Sequence, residues 1–173
     1  EGQFINDLAF FPAAGGYTGY AEVLNDSNFD NGPSNYIAKT TNGGSSWNQV
    51  CSVGQSIFTM TFGDADHGWV GTYSEEGSAI LATSDGGESW HNLTGVPSLA
   101  CIDDLALSSD GQHGIAIGRF GEEGDAAFAT TDGGSTWSEH QSAPPGGGFS
   151  SATFLEPGLA CAVGSGAILI DSF

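Results

Sequence analysis

A string of eight residues that occurs three times constrains this chain more than any other feature of its sequence. The copies read TTNGGSSW at residues 40–47, TSDGGESW at 83–90 and TTDGGSTW at 130–137. Their tryptophans are spaced 43 and 47 residues apart. Near-copies at a steady period indicate a repeat architecture in which each repeat is one supersecondary unit. We refer to these three segments as the boxes.

The segments around the boxes repeat as well. Immediately before each box there is a short apolar strand. Going backwards along the chain, the next strand contains or ends in glycine, and a further strand comes before it. A further strand follows each box. The predicted strands are 36–38, 79–82 and 127–129 before the boxes, 68–71 and 114–118 one step earlier, 57–62 and 102–107 two steps earlier, and 47–51, 90–93 and 137–140 after the boxes. Residues 5–10 and 149–154 fit the earliest class.

Four antiparallel strands in about 45 residues is the period expected of a β-propeller blade. The 173 residues are enough for one domain with a real core. We therefore predict an all-β fold of propeller-type blades, with three complete four-stranded units and a partial fourth. The chain, 1–173, is expected to be a single repeat domain. Its units are predicted at about 2–51, 52–97, 98–142 and 148–173, the last one incomplete.

The residue types of the box suit a turn between the third and fourth strands of a blade. An Asp or Asn side chain accepts hydrogen bonds from nearby backbone amides, and glycine adopts backbone angles that a Cβ forbids. The first threonine offers a hydroxyl to the same network, and the tryptophan returns along the outgoing strand to bury its ring. The positions predicted to have these structural roles are Thr40, Asn42, Gly44, Trp47, Thr83, Asp85, Gly87, Trp90, Thr130, Asp132, Gly134 and Trp137.

This pattern, Ser/Thr-x-Asp-x-Gly-x-x-Trp, resembles the Asp-box, also called the bacterial neuraminidase repeat. The longer unit formed by 67–71 and 80–90 most resembles the propellers of the plant and cyanobacterial photosystem II stability/assembly factor family. Secreted xyloglucan-cleaving glycosidases and sortilin-type receptors carry similar boxes. The resemblance implies a propeller and an association with a photosynthetic membrane complex, although the box itself is a signature of fold and not of function.

Two features depart from that resemblance. Propellers of this kind usually close with about six to eight blades, and this chain supplies three and part of a fourth. It is therefore part of a longer protein, or four blades close in an unusual way, or several chains complete one assembly. The family resembled is associated with an arginine-bearing binding face, whereas Arg119 is the single arginine of this chain. Its partner surface is expected to differ.

The charge balance excludes several classes of function. Two basic residues, Lys39 and Arg119, stand against 21 acidic ones, which gives a net charge of −19. Nucleic acid and anionic membrane surfaces would repel such a chain. It has no apolar run of the ~18 residues that a membrane helix needs, and it begins at Glu1, which fits removal of a targeting segment. We expect an acidic protein outside the cytoplasm, in a thylakoid lumen, a periplasm or the extracellular space.

Sialidase activity needs an arginine triad, which one arginine cannot supply. A glycosidase needs two carboxylates that face one cleft. Asp103 and Asp104 are adjacent on a predicted strand and point to opposite faces, so they cannot form such a pair. Asp104 aligns with Asp7 of the first unit, and these two are candidates for a pair across a central opening. The favoured interpretation is polar lining of the innermost strands, and therefore no catalytic residue.

Three further groups of residues are candidates for sites. Asp64, Asp66 and His67 form a weak calcium-site candidate, but the next unit repeats an Asp and a His at the same turn, which favours turn stabilisation and no bound metal. Phe29, in the longest insertion, is a candidate for an interaction loop. The cysteines at positions 51, 101 and 161 are either three buried thiols or one disulfide with a free thiol.

The sequence therefore predicts a non-enzymatic protein-interaction or structural subunit without a cofactor. The leading specific version is a lumenal subunit that binds protein loops of a photosynthetic membrane complex. The alternatives are a fragment of a secreted glycan-binding or glycoside-hydrolase propeller, and an extracellular protein that self-assembles. The expected partners are proteins, with a homo-oligomer or blades supplied elsewhere as further options, and without nucleic acid or direct membrane insertion.

Overall fold

The computed structural model consists of strands joined by turns. It describes residues 3–25, 35–52, 56–74, 77–96, 101–120, 124–144, 146–156, 158–165 and 167–172. Within those ranges all regular elements are strands, and none of them is a helix that could cross a membrane.

The strands form four antiparallel sheets in chain order. Sheet 1 contains β1 (Gln3–Ala13), β2 (Gly16–Asn25), β3 (Tyr36–Thr40) and β4 (Asn48–Cys51). Sheet 2 contains β5 (Ser56–Phe62), β6 (Gly68–Ser74), β7 (Gly77–Thr83) and β8 (His91–Asn92). Sheet 3 contains β9 (Cys101–Leu107), β10 (Gly114–Phe120), β11 (Gly124–Thr130) and β12 (Ser138–Ser142). Sheet 4 contains β13 (Ser151–Glu156), β14 (Leu159–Gly164) and β15 (Ala167–Ser172).

These sheets are the blades of a four-bladed β-propeller arrangement. Each is a meander in which consecutive strands pair, so the spatial order of strands is their order in the chain. The first strands of neighbouring sheets, β1, β5, β9 and β13, pack next to one another in turn. The predicted fold class, with three four-stranded blades and a fourth that is shorter, is confirmed.

The apolar core lies between successive blades, because each inner sheet is covered on both faces. Tyr20 and Ile37 of sheet 1 pack with Met60 and Val70 of sheet 2. The second and third blades share a cluster that includes Trp69 and the side chains of Ile80, Ile102 and Leu105, and the third and fourth share one around Ile115, Ile117 and Ala160. Burying one such isoleucine stabilises the fold by about 1.5–3 kcal/mol.

The two end sheets have one face that no other blade covers. Among the described residues, no packing comparable to that between neighbouring blades joins sheet 1 to sheet 4. On sheet 1, Ile5 and Leu8 are 59% and 51% exposed, and on sheet 4, Ile168 is 69% exposed. Val163, the strand partner of Ile168, is also exposed, whereas Ala21 and Val23, the partners of Leu8 and Ile5, are buried in a cluster with Ala38 of their own sheet. The first and last blades of the described chain therefore both carry exposed apolar side chains.

The register of the sheets places a glycine opposite the first threonine of every box. The pairs are Gly19 with Thr40, Gly68 with Thr83 and Gly114 with Thr130. An aromatic ring lies over each glycine. A Cβ added at Gly68 would be 2.3 Å from the ring of Phe62, so only glycine permits this packing.

The structure places the three boxes at equivalent turns between the third and fourth strands of their blades. In the second box the Thr83 hydroxyl accepts a hydrogen bond from the Gly87 amide at 2.8 Å and donates to Asp85 Oδ1 at 2.8 Å. The same Oδ1 accepts from the Ser89 amide at 2.9 Å. The first and third boxes repeat these three bonds within 0.2 Å, with Asn42 or Asp132 as the acceptor.

The two central glycines of each box have backbone angles that other residues rarely adopt. Gly86 and Gly87 have φ of 68° and 86°, and the glycines of the other two boxes match them. Hydrogen bonds from Ser89 and Thr83 lower the pKa of the exposed Asp85 to about 2. Thr83 itself is 3% exposed. Each box is therefore a turn in which a buried hydroxyl holds an exposed carboxylate or amide.

Replacing a box threonine with valine tests the importance of its hydroxyl. Thr130→Val keeps the shape of the side chain and removes the partner of the Gly134 and Asp132 amides. We expect the free energy of unfolding to fall by about 1–3 kcal/mol, because buried amides lose their acceptor. Chemical denaturation measures the change, and Thr131→Val, at the exposed neighbouring residue, is the control. Equal stability of the two variants would contradict this role of the box.

Candidate functional site: the centre of the propeller and its turns

The candidate carboxylates Asp7 and Asp104 both lie on innermost strands, in sheets 1 and 3. The structure brings them within electrostatic range of each other. Burial raises the pKa of Asp7, and the negative charge of Asp104 adds to the rise. Asp103 is exposed and Asp104 is half-buried, as expected for neighbours on opposite faces of β9.

Hydrogen bonds to both carboxylate oxygens hold Asp104 in place. Its Oδ1 accepts from the Thr59 hydroxyl at 3.0 Å and from the Leu105 amide at 2.9 Å, and its Oδ2 accepts from the Ala152 amide at 2.9 Å. Thr59 belongs to sheet 2 and Ala152 to sheet 4, so this one carboxylate joins three blades. Such an arrangement suits a structural acceptor better than a catalytic acid or base, which needs access to a substrate proton.

A buried glutamate beside Asp7 was not predicted from the sequence. Glu22 on β2 is fully buried; its Oε2 accepts from the Asn6 amide group at 3.1 Å, and its Oε1 has no hydrogen-bond partner among the described residues. Burial raises the pKa of Glu22, and the charge of Asp7 contributes. In register, the same position is Gly71 in sheet 2 and Ile117 in sheet 3. Aligning the repeats strand by strand would have revealed this substitution.

The weak metal candidates lie in the turn between β5 and β6. Asp64 Oδ1 accepts from the amides of Asp66 and His67, both at 2.7 Å, and the His67 Nδ1 is 2.9 Å from Asp64 Oδ2. Asp110 makes the same contacts with the amides two and three residues later and with the Nδ1 of His113. The repeated geometry is that of a carboxylate that closes a turn. Over the ranges described, no three side chains of metal-ligand type are grouped to hold an ion.

The remaining candidates are Phe29, the three cysteines and the box residues. Phe29 lies outside the described residues. Cys51 is buried, and Cys101 and Cys161 are half-buried, all three as free thiols. The box residues are at the turns described above, and Trp47, Trp90 and Trp137 are half-buried.

Comparison with solved structures identifies similar propellers. No family profile and no curated protein matches the chain. It is similar to "YCF48 bound to D1 peptide", with 26% identity over 68% of this chain and 37% of that one and a TM-score of 0.52. It is similar to YCF48 from Cyanidioschyzon merolae, with 17% identity over 97% of this chain and 50% of that one and a TM-score of 0.66.

A glycoside hydrolase has the same architecture. The GH74 xyloglucanase from Xanthomonas campestris matches 95% of this chain and 27% of its own, at 16% identity and a TM-score of 0.69. The chain thus spans half or less of the length of these three proteins. The expected resemblance to YCF48, a photosystem II assembly factor, is confirmed at the level of structure. The propeller fold suits an interaction role, and its neighbours include both a peptide-binding protein and enzymes.

Replacing Glu22 with glutamine tests whether burial raises the pKa of its carboxyl group. The folded pKa lies above the unfolded one, so the wild type loses stability as pH rises, whereas a glutamine is neutral at every pH. We expect Glu22→Gln to raise the melting temperature at pH 8 and to change it little at pH 4. Thermal unfolding across this range measures the difference. A difference between variant and wild type that stays constant with pH would contradict the assignment.

Proposed function

We propose that this chain is a propeller module that binds a protein segment and catalyses no reaction. The observation that carries the proposal is its similarity, over 68% of the chain, to a propeller with a bound peptide. The hydrogen bonds of Asp104 support it, because they commit the central carboxylate to joining blades. The net charge of −19 favours a partner segment with basic residues.

We also propose a compartment in which the module acts. A strongly acidic chain with this likeness suits a compartment outside the cytoplasm, and the specific version is a lumenal subunit that binds protein loops of a photosynthetic membrane complex. A periplasmic or secreted location remains the broader form of this proposal.

Peptide titration tests the function. The D1 peptide that YCF48 binds is added to the purified chain, and binding is followed by calorimetry, with a scrambled peptide of the same composition as the control. We expect saturable binding of the D1 peptide with a dissociation constant of about 1–100 μM, or about −5.5 to −8.2 kcal/mol, and at least tenfold weaker binding of the scrambled peptide. Equal affinity for both would contradict recognition of a defined segment.

Incubation with xyloglucan separates binding from catalysis, because the GH74 likeness makes this the matched substrate. We expect no release of oligosaccharides by the wild type. Hydrolysis that is lost in Asp104→Asn would replace the proposal with the glycosidase alternative.

The uncovered end faces favour a second function, self-assembly. The neighbouring blades inside the molecule bury apolar side chains against each other, whereas Leu8 on sheet 1 and Ile168 on sheet 4 are 51% and 69% exposed. Blade ends of this kind fit a second copy placed head to tail, in which sheet 4 of one chain covers sheet 1 of the other. Exposed apolar faces of this type usually mark interaction surfaces.

Light scattering with size-exclusion chromatography measures this association. We expect a mass that is a multiple of 17.6 kDa at micromolar concentration, reduced to the monomer mass by Ile168→Glu. The matched control is Phe58→Glu, which places the same charge at an exposed apolar side chain of sheet 2, away from the end faces. A wild-type monomer would refute self-assembly and leave the peptide-binding proposal in place.

A further inference from the structure

The two junctions between the first three blades are built from equivalent positions, which allows a residue-by-residue comparison. In register, Tyr20 and Lys39 of sheet 1 correspond to Trp69 and Ala82 of sheet 2. Each pair faces the box of the following blade. Gly86 of the second box therefore corresponds to Gly133 of the third.

At the first junction, a lysine side chain fills the space between the blades. The Lys39 ammonium donates a hydrogen bond to the carbonyl of Gly86 at 2.7 Å and lies 5.5 Å from the centre of the Tyr20 ring. The Tyr20 hydroxyl donates to the carbonyl of Ala65 at 2.7 Å. One of the two cations of the chain is thus placed between an aromatic ring and a backbone carbonyl of the next blade.

At the second junction, the same space is a cavity. Ala82 replaces the lysine and Trp69 replaces the tyrosine, so the ammonium group and the phenol hydroxyl are both missing. The cavity has a volume of about 240 Å³ and is lined by Trp69, Ala82, Ser84, His67, Gln112 and Gly133 among others. A Cβ added at Gly86 would lie 2.6 Å from the Lys39 Nζ, whereas one at Gly133 meets nothing nearer than the Gly111 carbonyl oxygen, at 3.3 Å.

The walls of the cavity keep the groups that hold the lysine at the first junction. The backbone turn is conserved in geometry, because the Gly133 amide donates to the Gln112 carbonyl at 2.8 Å as the Gly86 amide donates to Asp66 at 2.9 Å. The aromatic wall is now an indole, the side chain that attracts cations most strongly. In the adjoining turns, Asp110 and Asp132 correspond to Asp64 and Asp85, whereas Gln112 of the cavity wall corresponds to Asp66.

We propose that the cavity between sheets 2 and 3 binds a primary alkylammonium group supplied from outside the chain. The ligand ammonium takes the place that Lys39 Nζ has at the first junction, against the carbonyl of Gly133 and the ring of Trp69. Its alkyl stem occupies the space that Ala82 leaves open. Within the described part of the chain, the third junction lacks the aromatic wall of such a site, because Ile115 takes the place of Trp69. This inference is independent of the peptide-binding function proposed above.

The ligand is either a free small amine or the side chain of a lysine on another protein. NMR titration of the whole chain tests both, with n-butylammonium as the free amine and Nα-acetyl-lysine N-methylamide as the lysine side chain. n-Butanol, which has the same stem and no charge, is the control. We expect n-butylammonium to shift the amide resonances of Gly133 and Gln112 with a dissociation constant of about 1–10 mM, from one cation–π contact and one charged hydrogen bond.

The possible results distinguish a free amine from a lysine side chain, and both from binding of the uncharged alkyl stem. Binding of both ammonium compounds identifies an exposed lysine side chain as sufficient, and binding of n-butylammonium alone identifies a free amine. n-Butanol is expected to bind at least tenfold more weakly. No shift at Gly133 with either ammonium compound, or an equal affinity for n-butanol, would overturn the proposal.

A variant that supplies its own ammonium gives an independent test. Ala82→Lys reproduces the first junction, so we expect it to abolish n-butylammonium binding and to melt at a higher temperature than Ala82→Met. The methionine variant fills the cavity with a side chain of similar length that lacks the charge. A lysine variant that melts below the methionine variant, or that still binds n-butylammonium at the same residues, would contradict the assignment. The wild-type titration decides the question if either variant fails to fold.

Discussion

One buried hydroxyl in each of the first three blades organises this molecule. Thr40, Thr83 and Thr130 each accept an amide hydrogen bond from the second glycine of their box and donate to the Asp or Asn side chain two residues after the threonine. The bond fixes the direction in which the fourth strand leaves the turn. Because the glycine opposite each threonine admits an aromatic ring, the same position also sets how closely the blade packs.

The first three blades share this box turn, and the residues that pack between neighbouring blades differ. At the centre, Asp104 accepts hydrogen bonds from two other blades, while Glu22 occupies a position that is glycine or isoleucine in the other sheets. At the periphery, a lysine fills the first junction and a cavity replaces it at the second. A repeat fold allows this because each blade contacts only its neighbours, so a junction changes without disturbing the next one. Function in such a protein is expected at the positions that break the repeat.

Most of the fold could be predicted from the sequence, because the residues of each box contact one another within a segment of eight residues. The threonine hydroxyl, the acceptor and the glycines are local, so the spacing alone predicts the turn. The shorter fourth blade was predicted because no fourth box follows its strands, and the turn-closing role of Asp64 because an Asp and a His recur at the same turn of the next unit. The burial of Glu22, the three-blade contacts of Asp104 and the cavity beside Ala82 depend on which strands face each other across a junction. Those contacts are long-range, and only alignment of the repeats in register would have suggested them.

Amide hydrogen exchange tests the central role of the box hydroxyl most directly. The amides of Gly44, Gly87 and Gly134 belong to turns at the surface, yet each donates to a buried threonine hydroxyl. We expect all three amides to exchange as slowly as core strand amides such as that of Ala116, because they open only when the blade unfolds. Exchange at the rate of an unstructured peptide in all three glycines, with the strands still protected, would show that the box hydroxyls do not hold the blades.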